Sequence, residues 1–237
     1  MAIRNLDGIF QPRSIVVIGP DHIGSAALDL FFANFKRAGF KGQATLVGLT
    51  PPEGWTGKVL ESLDAFEGGA DLAVVLSGAD RAVAVVEALG ARGIKGVLFM
   101  SRGYDEWPFF TTRQVLAAAR AHGIRLVGPG SMGVITPHVG LDVSLTGRPV
   151  KKGELALISR SAAVVNSTLA WAEANGVGFS SVVSLGQKVD VDGGDMLDHF
   201  CADYRTRAVL LHLESIWSPS KFLSAARACA RTKPVIV

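Results

Sequence analysis

Short apolar segments alternate with helical patterns along most of the chain, and this alternation constrains the fold more than any other feature. In the first half, the predicted strands are 14–18, 44–47, 71–76, 96–100 and 125–127, and the predicted helices are 25–38, 80–92 and 111–122. A glycine follows each of these helices, as is typical of a helix C-terminus. Strand–helix–strand units of this length predict a parallel sheet with right-handed crossovers, whose ligands lie at the carboxyl ends of the strands.

A second unit of the same kind begins after residue 153. Its predicted strands are 155–158, 179–184, 208–213 and one that starts at Val235, and its predicted helices are 162–175, 194–203 and 219–231. Between the units, the Gly- and Pro-rich segment 137–153 is predicted to connect two domains. We therefore predict an α/β chain with domains at 1–147 and 148–237, the second truncated in mid-strand and continued in a longer polypeptide.

Composition bears on location and partners. No run of about 18 consecutive apolar residues occurs, so we expect no membrane span, and residues 1–7 lack the apolar core of a signal peptide. The two cysteines, Cys201 and Cys229, form no disulfide or metal framework, which favours a reducing cytoplasm. The net charge is only +3 with scattered cations, which argues against nucleic acid but suits a small polyanionic ligand.

A polar turn, Ser159-Arg160-Ser161, joins the first strand of the second unit to its helix. Serines at such a turn can cap the helix and leave its first backbone N–H groups free for an anion. Glu214 follows the strand 208–213, at the edge where a carboxylate can orient a histidine or accept a proton; the alternative is a solvated loop acid. The five histidines show no catalytic or metal-ligand spacing, so no catalytic residue is predicted within the chain.

Turns that follow the strands of the first unit are candidates for phosphate binding. The turn from Gly19 to Gly24 lacks the Gly-x-Gly-x-x-Gly fingerprint, and its proline removes one backbone N–H. The segment 101–104 and the turn at Gly128-Pro129 carry small residues that let a ligand approach the backbone, although ordinary turn chemistry explains them equally well. For the segment 50–55 we favour a rigid surface loop over a ribose contact.

Four aspartates, Asp190, Asp192, Asp195 and Asp198, surround a pair of glycines. A calcium-binding EF-hand loop that began at Asp190 would need Glu where Cys201 stands, so the pattern does not predict that metal site. Asp192 as a helix cap, with Asp195 in the first turn, explains the cluster better, and no metal is predicted.

Taken in order, these segments resemble the N-terminal region of the NDP-forming acyl-CoA synthetases, which are related to the α subunit of succinyl-CoA synthetase. The segments that carry the resemblance are 10–19, 101–104, 128–129, 133–135, 158–161, 183–192, 213–214 and 233–235. The match extends over nearly the whole chain, so it is more specific than any single motif. It implies a Rossmann-like CoA-binding domain followed by a flavodoxin-like domain of the succinyl-CoA-synthetase type.

In that family a histidine is phosphorylated and carries the phosphoryl group between two sites. The resemblance implies that the turn with Ser159 and Ser161 holds the phosphoryl group and that Glu214 supports the histidine, which is expected beyond residue 237. It also implies that the first domain binds CoA or acetyl-CoA. The residues expected to contact that ligand are Gly19, His22, Gly24, Ser101, Arg102, Gly103, Gly128 and Pro129.

The chain departs from the ligase pattern in several places. Ala162 stands where the ligases usually carry glycine, the loop after Gly19 is shorter, and residues 50–53 and Gly130 replace an Asn-Pro-Lys-like segment and an asparagine. With these departures, the chain resembles the ligase-like region of bacterial protein lysine acetyltransferases. In those proteins this region is fused to a GNAT-class domain. Our main hypothesis is therefore a non-catalytic, CoA- or acetyl-CoA-binding regulatory region of such an acetyltransferase.

Two alternatives remain. The chain is the α-type part of an ADP-forming acetyl-CoA synthetase that works through a phosphohistidine, or it is a structural module without a ligand. Under these hypotheses its partner is the rest of the polypeptide, with an ATP-grasp-like domain that binds nucleotide in a ligase, or a GNAT domain and a protein substrate in an acetyltransferase. A homo-oligomer is also expected.

Overall fold

Two six-stranded sheets organise the computed structural model, which describes residues 6–19, 24–76, 78–100 and 107–237. The first sheet contains β1 (Ser14–Ile18), β2 (Gln43–Val47), β3 (Lys58–Leu60), β4 (Leu72–Val75), β5 (Gly96–Met100) and β6 (Arg125–Ser131). These strands are all parallel, in the order β3-β2-β1-β4-β5-β6. The helices of this part are α1 (Asp7–Phe10), α2 (Ser25–Ala38), α3 (Ala79–Ala91) and α4 (Phe109–His122).

The second sheet is mixed. Its strands are β7 (Gly133–Thr136), β8 (Leu141–Ser144), β9 (Lys152–Ser159), β10 (Phe179–Ser184), β11 (Ala208–His212) and β12 (Val235–Ile236). The order is β12-β11-β9-β10-β7-β8, and β7 runs antiparallel to both of its neighbours. The helices of this part are α5 (Ala162–Asn175), α6 (Gly193–Ala202) and α7 (Pro219–Ala230). The predicted α/β class, with two successive strand–helix units, is confirmed.

Glycines end the helices where the sequence predicts. Gly39, Gly123 and Gly176 are left-handed C-caps with φ of 70°, 65° and 69°. The backbone N–H groups of Gly123 and Gly176 return to carbonyls of the last helical turn, which closes those helices. As a result, α2 and α5 have the predicted bounds.

The segment 137–153 is not simply a connection, and that prediction is wrong. It contains a short 3-10 turn at Pro137–Val139, the whole of β8 and the start of β9. Gly140, with φ of 69°, turns the chain so that β8 pairs with β7, and Leu141 and Val143 are fully buried. Sheet membership therefore changes between β6 and β7, near Met132, whereas the division at residue 147 remains a prediction.

Side chains from both sheets share a core and polar contacts. One cluster of buried apolar residues includes side chains of the first sheet, α2, β8, β9 and α6. Between them, the Asn34 amide on α2 donates to the carbonyl oxygens of Ser144, at 2.9 Å, and Thr146, at 2.6 Å. Within the described ranges, no helix has the length and apolarity needed to cross a membrane.

Candidate functional site

The polar turn between β9 and α5 is shaped by its two serines. Ser161 is the N-cap of α5, and its Oγ accepts from the Val164 N–H at 3.3 Å. Ser159 is fully buried; its Oγ accepts from the Ser161 N–H at 3.0 Å and lies 3.2 Å from His212 Nδ1. Ser161 therefore caps the helix, as the sequence predicts, and both hydroxyls form bonds within the turn. Their contact with a phosphoryl group stays a prediction.

The first turn of α5 offers backbone N–H groups instead. Ala162 and Ala163 begin the helix and are exposed, and N–H groups at these positions have no carbonyl partner within a helix. The positive end of the helix dipole lies at the same place and favours an anion. An anion would therefore bind to backbone N–H groups, with the methyl group of Ala162 exposed beside them.

Loops that follow three neighbouring strands meet at this turn. The Leu185 N–H, after β10, donates to the Ser159 carbonyl oxygen at 3.0 Å. After β11, the Glu214 carboxylate accepts from Arg160 Nη1 at 2.8 Å. Glu214 lies two residues beyond the end of β11, with a side chain 47% exposed, so it is an ion-paired residue at the mouth of the turn.

Sequence reasoning missed Lys188, which lies in the loop after β10. It is buried, and its Nζ donates to the backbone oxygen of Ser215 at 2.8 Å and to the Ser215 hydroxyl at 3.0 Å. Burial, followed by the nearby charge of Arg160, lowers the pKa of Lys188. The sequence signal was a lysine within a segment that carries the family resemblance, but lysine is so common on surfaces that spacing alone gives it no role.

Gly19 and Gly24 begin and end the first predicted ligand turn. The Gly19 N–H donates to the Val47 carbonyl oxygen at 2.8 Å, and a Cβ there would lie 2.6 Å from the Gly48 carbonyl oxygen. Gly24 is the N-cap of α2, and a Cβ there would meet no atom of the described residues within 4 Å. Among the described residues, no atom fills the space beside Gly24, whereas Gly19 is required by packing. His22, Ser101, Arg102 and Gly103 lie outside the described residues.

Gly128 and Pro129 lie within β6 rather than in a turn after a strand that ends at 127, as the sequence predicted. The reason is that the strand continues through Gly128, whose φ of 98° and close approach to the Phe99 carbonyl oxygen exclude a side chain. The Pro129 carbonyl oxygen accepts from the Gln187 N–H at 2.8 Å. The strands β1 and β6 are three strand spacings apart, or ~14 Å. Only an extended ligand therefore reaches both the glycines after β1 and the Gly128-Pro129 segment of β6.

The aspartates near the start of α6 form a capping and ion-pair network. Asp192 caps the helix by accepting from the Gly194 and Asp195 N–H groups, as predicted. The Asp195 carboxylate pairs with Lys221 Nζ at 2.7 Å and with Arg125 at 3.3 Å. Burial acts to raise the pKa of Asp195, but these bonds outweigh it and lower the pKa. The cluster therefore has a structural explanation.

A separate cavity of about 700 Å³ lies beside the first residues of β2. Phe32, Phe35 and Phe40 line it together with the loop residues Pro52 to Lys58, including Trp55. The segment 50–55, predicted to be a rigid surface loop, thus contributes residues to one wall. Because the start of β2 is the amino end of a parallel strand, this cavity is remote from the carboxyl edge where ligands of such sheets bind.

Family models match both parts of the chain. Residues 13–137 match the model described as a CoA binding domain. Residues 152–237 match the model described as a succinyl-CoA ligase like flavodoxin domain.

Two relatives with similar sequences are named as ADP-forming acetate–CoA ligases. The chain is 32% identical to the alpha subunit of ADP-forming acetate–CoA ligase I from Pyrococcus furiosus, over 98% of the chain and 52% of that protein. It is 28% identical to ADP-forming acetate–CoA ligase I from Archaeoglobus fulgidus, over 98% of the chain and 34% of that protein. The chain thus spans about half or a third of these relatives' length.

A solved structure has a similar fold. It is dinucleotide-forming acetyl-coenzyme A synthetase 1 from Candidatus Korarchaeum cryptofilum, in complex with phosphate and ADP. The TM-score is 0.87 at 26% identity, with 97% of this chain and 50% of that chain covered. These relatives favour the ligase alternative over the acetyltransferase hypothesis.

Proposed function

This chain belongs to the CoA-binding domain family, in the superfamily of NDP-forming acyl-CoA synthetases and succinyl-CoA ligases, and on that premise we propose that it is the α-type part of an ADP-forming acyl-CoA synthetase. Acetate is the proposed acyl substrate, because the two relatives from Pyrococcus furiosus and Archaeoglobus fulgidus described above are named acetate–CoA ligases. CoA is the ligand of the first domain.

One observation carries the proposal: the loops after β9, β10 and β11 meet at the N-terminus of α5. The helix offers backbone N–H groups and a positive dipole end to phosphoryl oxygens. Arg160 adds a cation, and Glu214 adds a carboxylate within 2.8 Å of it. The cation and the helix N-terminus suit a phosphoryl group, and the carboxylate suits the histidine that carries it.

Each group has a definite task in this proposal. The N–H groups of α5 and Arg160 stabilise the charge on the phosphoryl oxygens. The Glu214 carboxylate accepts a hydrogen bond from one ring N–H of the histidine, so that the other ring nitrogen is free to take or give the phosphoryl group. The histidine is to come from outside residues 1–237. Nucleotide binds to an ATP-grasp-like partner, in the same or another polypeptide.

CoA binding is proposed at the carboxyl edge of the first sheet. Gly24 leaves space beside the N-terminus of α2, which suits a phosphate of CoA. An extended CoA molecule then runs along the strand ends towards Gly128 and Pro129. Because Gln187 contacts Pro129, the far end of that ligand approaches the second domain, where the phosphoryl turn lies.

The acetyltransferase regulatory hypothesis stays as the second candidate because of Ala162. A glycine at this first helical position would let a phosphoryl group approach more closely than alanine does. The methyl group is exposed at the helix start, beside the N–H groups proposed to bind the anion.

Activity of the complete natural protein, with any separate nucleotide-binding subunit, tests the proposal. We expect ATP- and CoA-dependent formation of acetyl-CoA from acetate, with ADP and phosphate as products. Glu214→Gln should lower kcat strongly while leaving CoA affinity unchanged. CoA binding without any acetyl-CoA formation would contradict the ligase proposal and favour the regulatory one.

A further inference from the structure

Lys188 has a backbone conformation that its surroundings must impose. Its φ is 58°, and it is the one non-glycine residue with positive φ in the part of the chain that the structure describes. The side chain is also buried, with 3% of the residue exposed. A left-handed backbone at a buried lysine costs free energy, and it persists only where the surrounding contacts fix the residue in place.

The ammonium group of Lys188 holds the loop that carries Glu214. It donates to both the backbone oxygen and the hydroxyl of Ser215, the residue directly after Glu214. Glu214 in turn pairs with Arg160, in the middle of the phosphoryl turn. Lys188 thus connects the loop after β10 to the loop after β11 at the position next to the carboxylate.

The loop after β10 is itself firmly anchored. The Leu185 N–H donates to the Ser159 carbonyl oxygen, and the Gln187 N–H donates to the Pro129 carbonyl oxygen at 2.8 Å. Gly186 lies so close to Pro129 that a Cβ would be 2.0 Å from its carbonyl oxygen. Lys188 therefore projects from a segment fixed to both domains, and it can hold the Ser215 loop in a constant position.

We propose that Lys188 is a positioning residue for phosphoryl transfer, holding the Glu214 loop so that the carboxylate stays beside the turn at the start of α5. The inference rests on the proposed ligase function and adds a residue to it. Charge supports the geometry: Lys188 and Arg160 place two cations around the carboxylate of Glu214, in a site proposed to bind an anion.

The test is the rate of phosphoenzyme formation from γ-labelled ATP in the complete natural protein with its nucleotide-binding region or subunit. Lys188→Met should lower that rate about 10- to 100-fold, because small displacements of a reacting group have effects of this size. The KM for CoA should stay within about twofold of the wild-type value, since the loss is confined to phosphoryl transfer. Ser215→Ala, which removes one of the two acceptors, should give a smaller loss.

Lys233→Met is a matched control, because Lys233 Nζ also donates to two backbone oxygens, those of Phe200 and Asp203, away from the turn. It should lower stability without changing the phosphorylation rate. A double-mutant cycle with Glu214→Gln then separates positioning from general damage, because Lys188→Met should add little once the carboxylate is gone.

The outcomes separate the two proposals. A wild-type rate in Lys188→Met, or full multiplication of the two losses in the double variant, would overturn the role of Lys188 and leave the ligase proposal intact. A wild-type protein that forms no phosphoenzyme would overturn both.

Discussion

At the scale of single residues, Asp142 shows how burial changes a carboxyl group. It lies on β8, accepts from the Ser144 hydroxyl at 2.6 Å and is 3.6 Å from Arg37 Nη2 on α2. Burial raises its pKa to about 6, although Ser144 and Arg37 act in the opposite direction. The carboxyl group therefore binds its proton more tightly in the folded state than in the unfolded chain.

This shift has a definite effect on stability. Between about pH 4 and pH 6 the Asp142 carboxyl group holds more protons in the folded state than in the unfolded state. The stability that this proton binding contributes is therefore present below pH 4 and is lost as pH rises through 6. Asp142→Asn should remove that dependence, which amounts to at most about 3 kcal/mol. Urea unfolding at pH 4 and pH 7 measures it. The exposed Glu154, changed to Gln, serves as the control, and equal pH slopes for Asp142→Asn and wild type would contradict the assignment.

Gly24 allows a test of the CoA site, because a substitution there should change CoA binding without disturbing the packing of the described residues. Because a Cβ meets no atom of the described residues within 4 Å, Gly24→Ala should change stability by no more than about 1 kcal/mol. If CoA approaches this backbone, the added methyl group should weaken CoA binding about 10- to 100-fold, as overpacking of 1–3 kcal/mol does. Calorimetry measures the affinity. Gly147→Ala, also in open space, is the control, and unchanged CoA affinity in Gly24→Ala would remove that residue from the site.

At the scale of elements, α5 couples stability to the proposed site. Its N-cap Ser161 shapes the turn, and its buried residues Val165, Leu169 and Ala172 pack on the second sheet. The helix therefore presents its N–H groups from a fixed position. The cap contributes local stability, and the packing sets where the helix begins.

Removing the cap should have a modest, measurable cost. Ser161→Ala should lower the free energy of unfolding by about 1 kcal/mol, because the Val164 N–H loses its acceptor. Ser167→Ala, whose hydroxyl only donates back to the Val164 carbonyl oxygen, should change it little. Equal losses in the two variants, measured by urea unfolding, would show that the cap has no special role.

The elements also show what can be predicted from sequence. Helices with periodic apolar residues and glycine stops, such as α2 and α5, were predictable because their signals are local. The edge strand β3 has only three residues and is little buried, so its sequence shows no alternation of apolar and polar residues. The strand β8 lies in a segment whose glycines suggest a loop. The contacts of Lys188 with Ser215, and of Gln187 with Pro129, join residues distant in the chain, and no local pattern encodes them.

At the scale of the whole molecule, ion pairs join the first sheet to a loop and a helix of the second part of the chain. Arg125, on β6 of the first sheet, pairs with Asp190 at 2.9 Å and with Asp195, at the start of α6, at 3.3 Å. These side chains are 8–19% exposed, so each charge depends on its partners for compensation. The network fixes the first domain against the loop that carries Lys188.

Breaking this network should therefore be costly. Arg125→Met should lower the free energy of unfolding by about 3 kcal/mol, because it leaves the carboxylate of Asp190 without its cation. Arg207→Met, at an exposed pair with Glu154, should cost less than about 1 kcal/mol. Urea unfolding compares the two variants, and similar losses of stability would contradict a special role for the contacts of Arg125 with Asp190 and Asp195.

In the proposed function, the turn between β9 and α5 receives a phosphoryl group carried by a histidine. The test is to incubate the complete natural protein, together with any nucleotide-binding subunit, with γ-labelled ATP. Mass spectrometry then identifies the labelled residue. We expect acid-labile label on a histidine, which ADP removes and which is strongly reduced in Glu214→Gln. Protein that binds CoA but carries no phosphohistidine, or a Glu214→Gln variant labelled as fast as wild type, would contradict it.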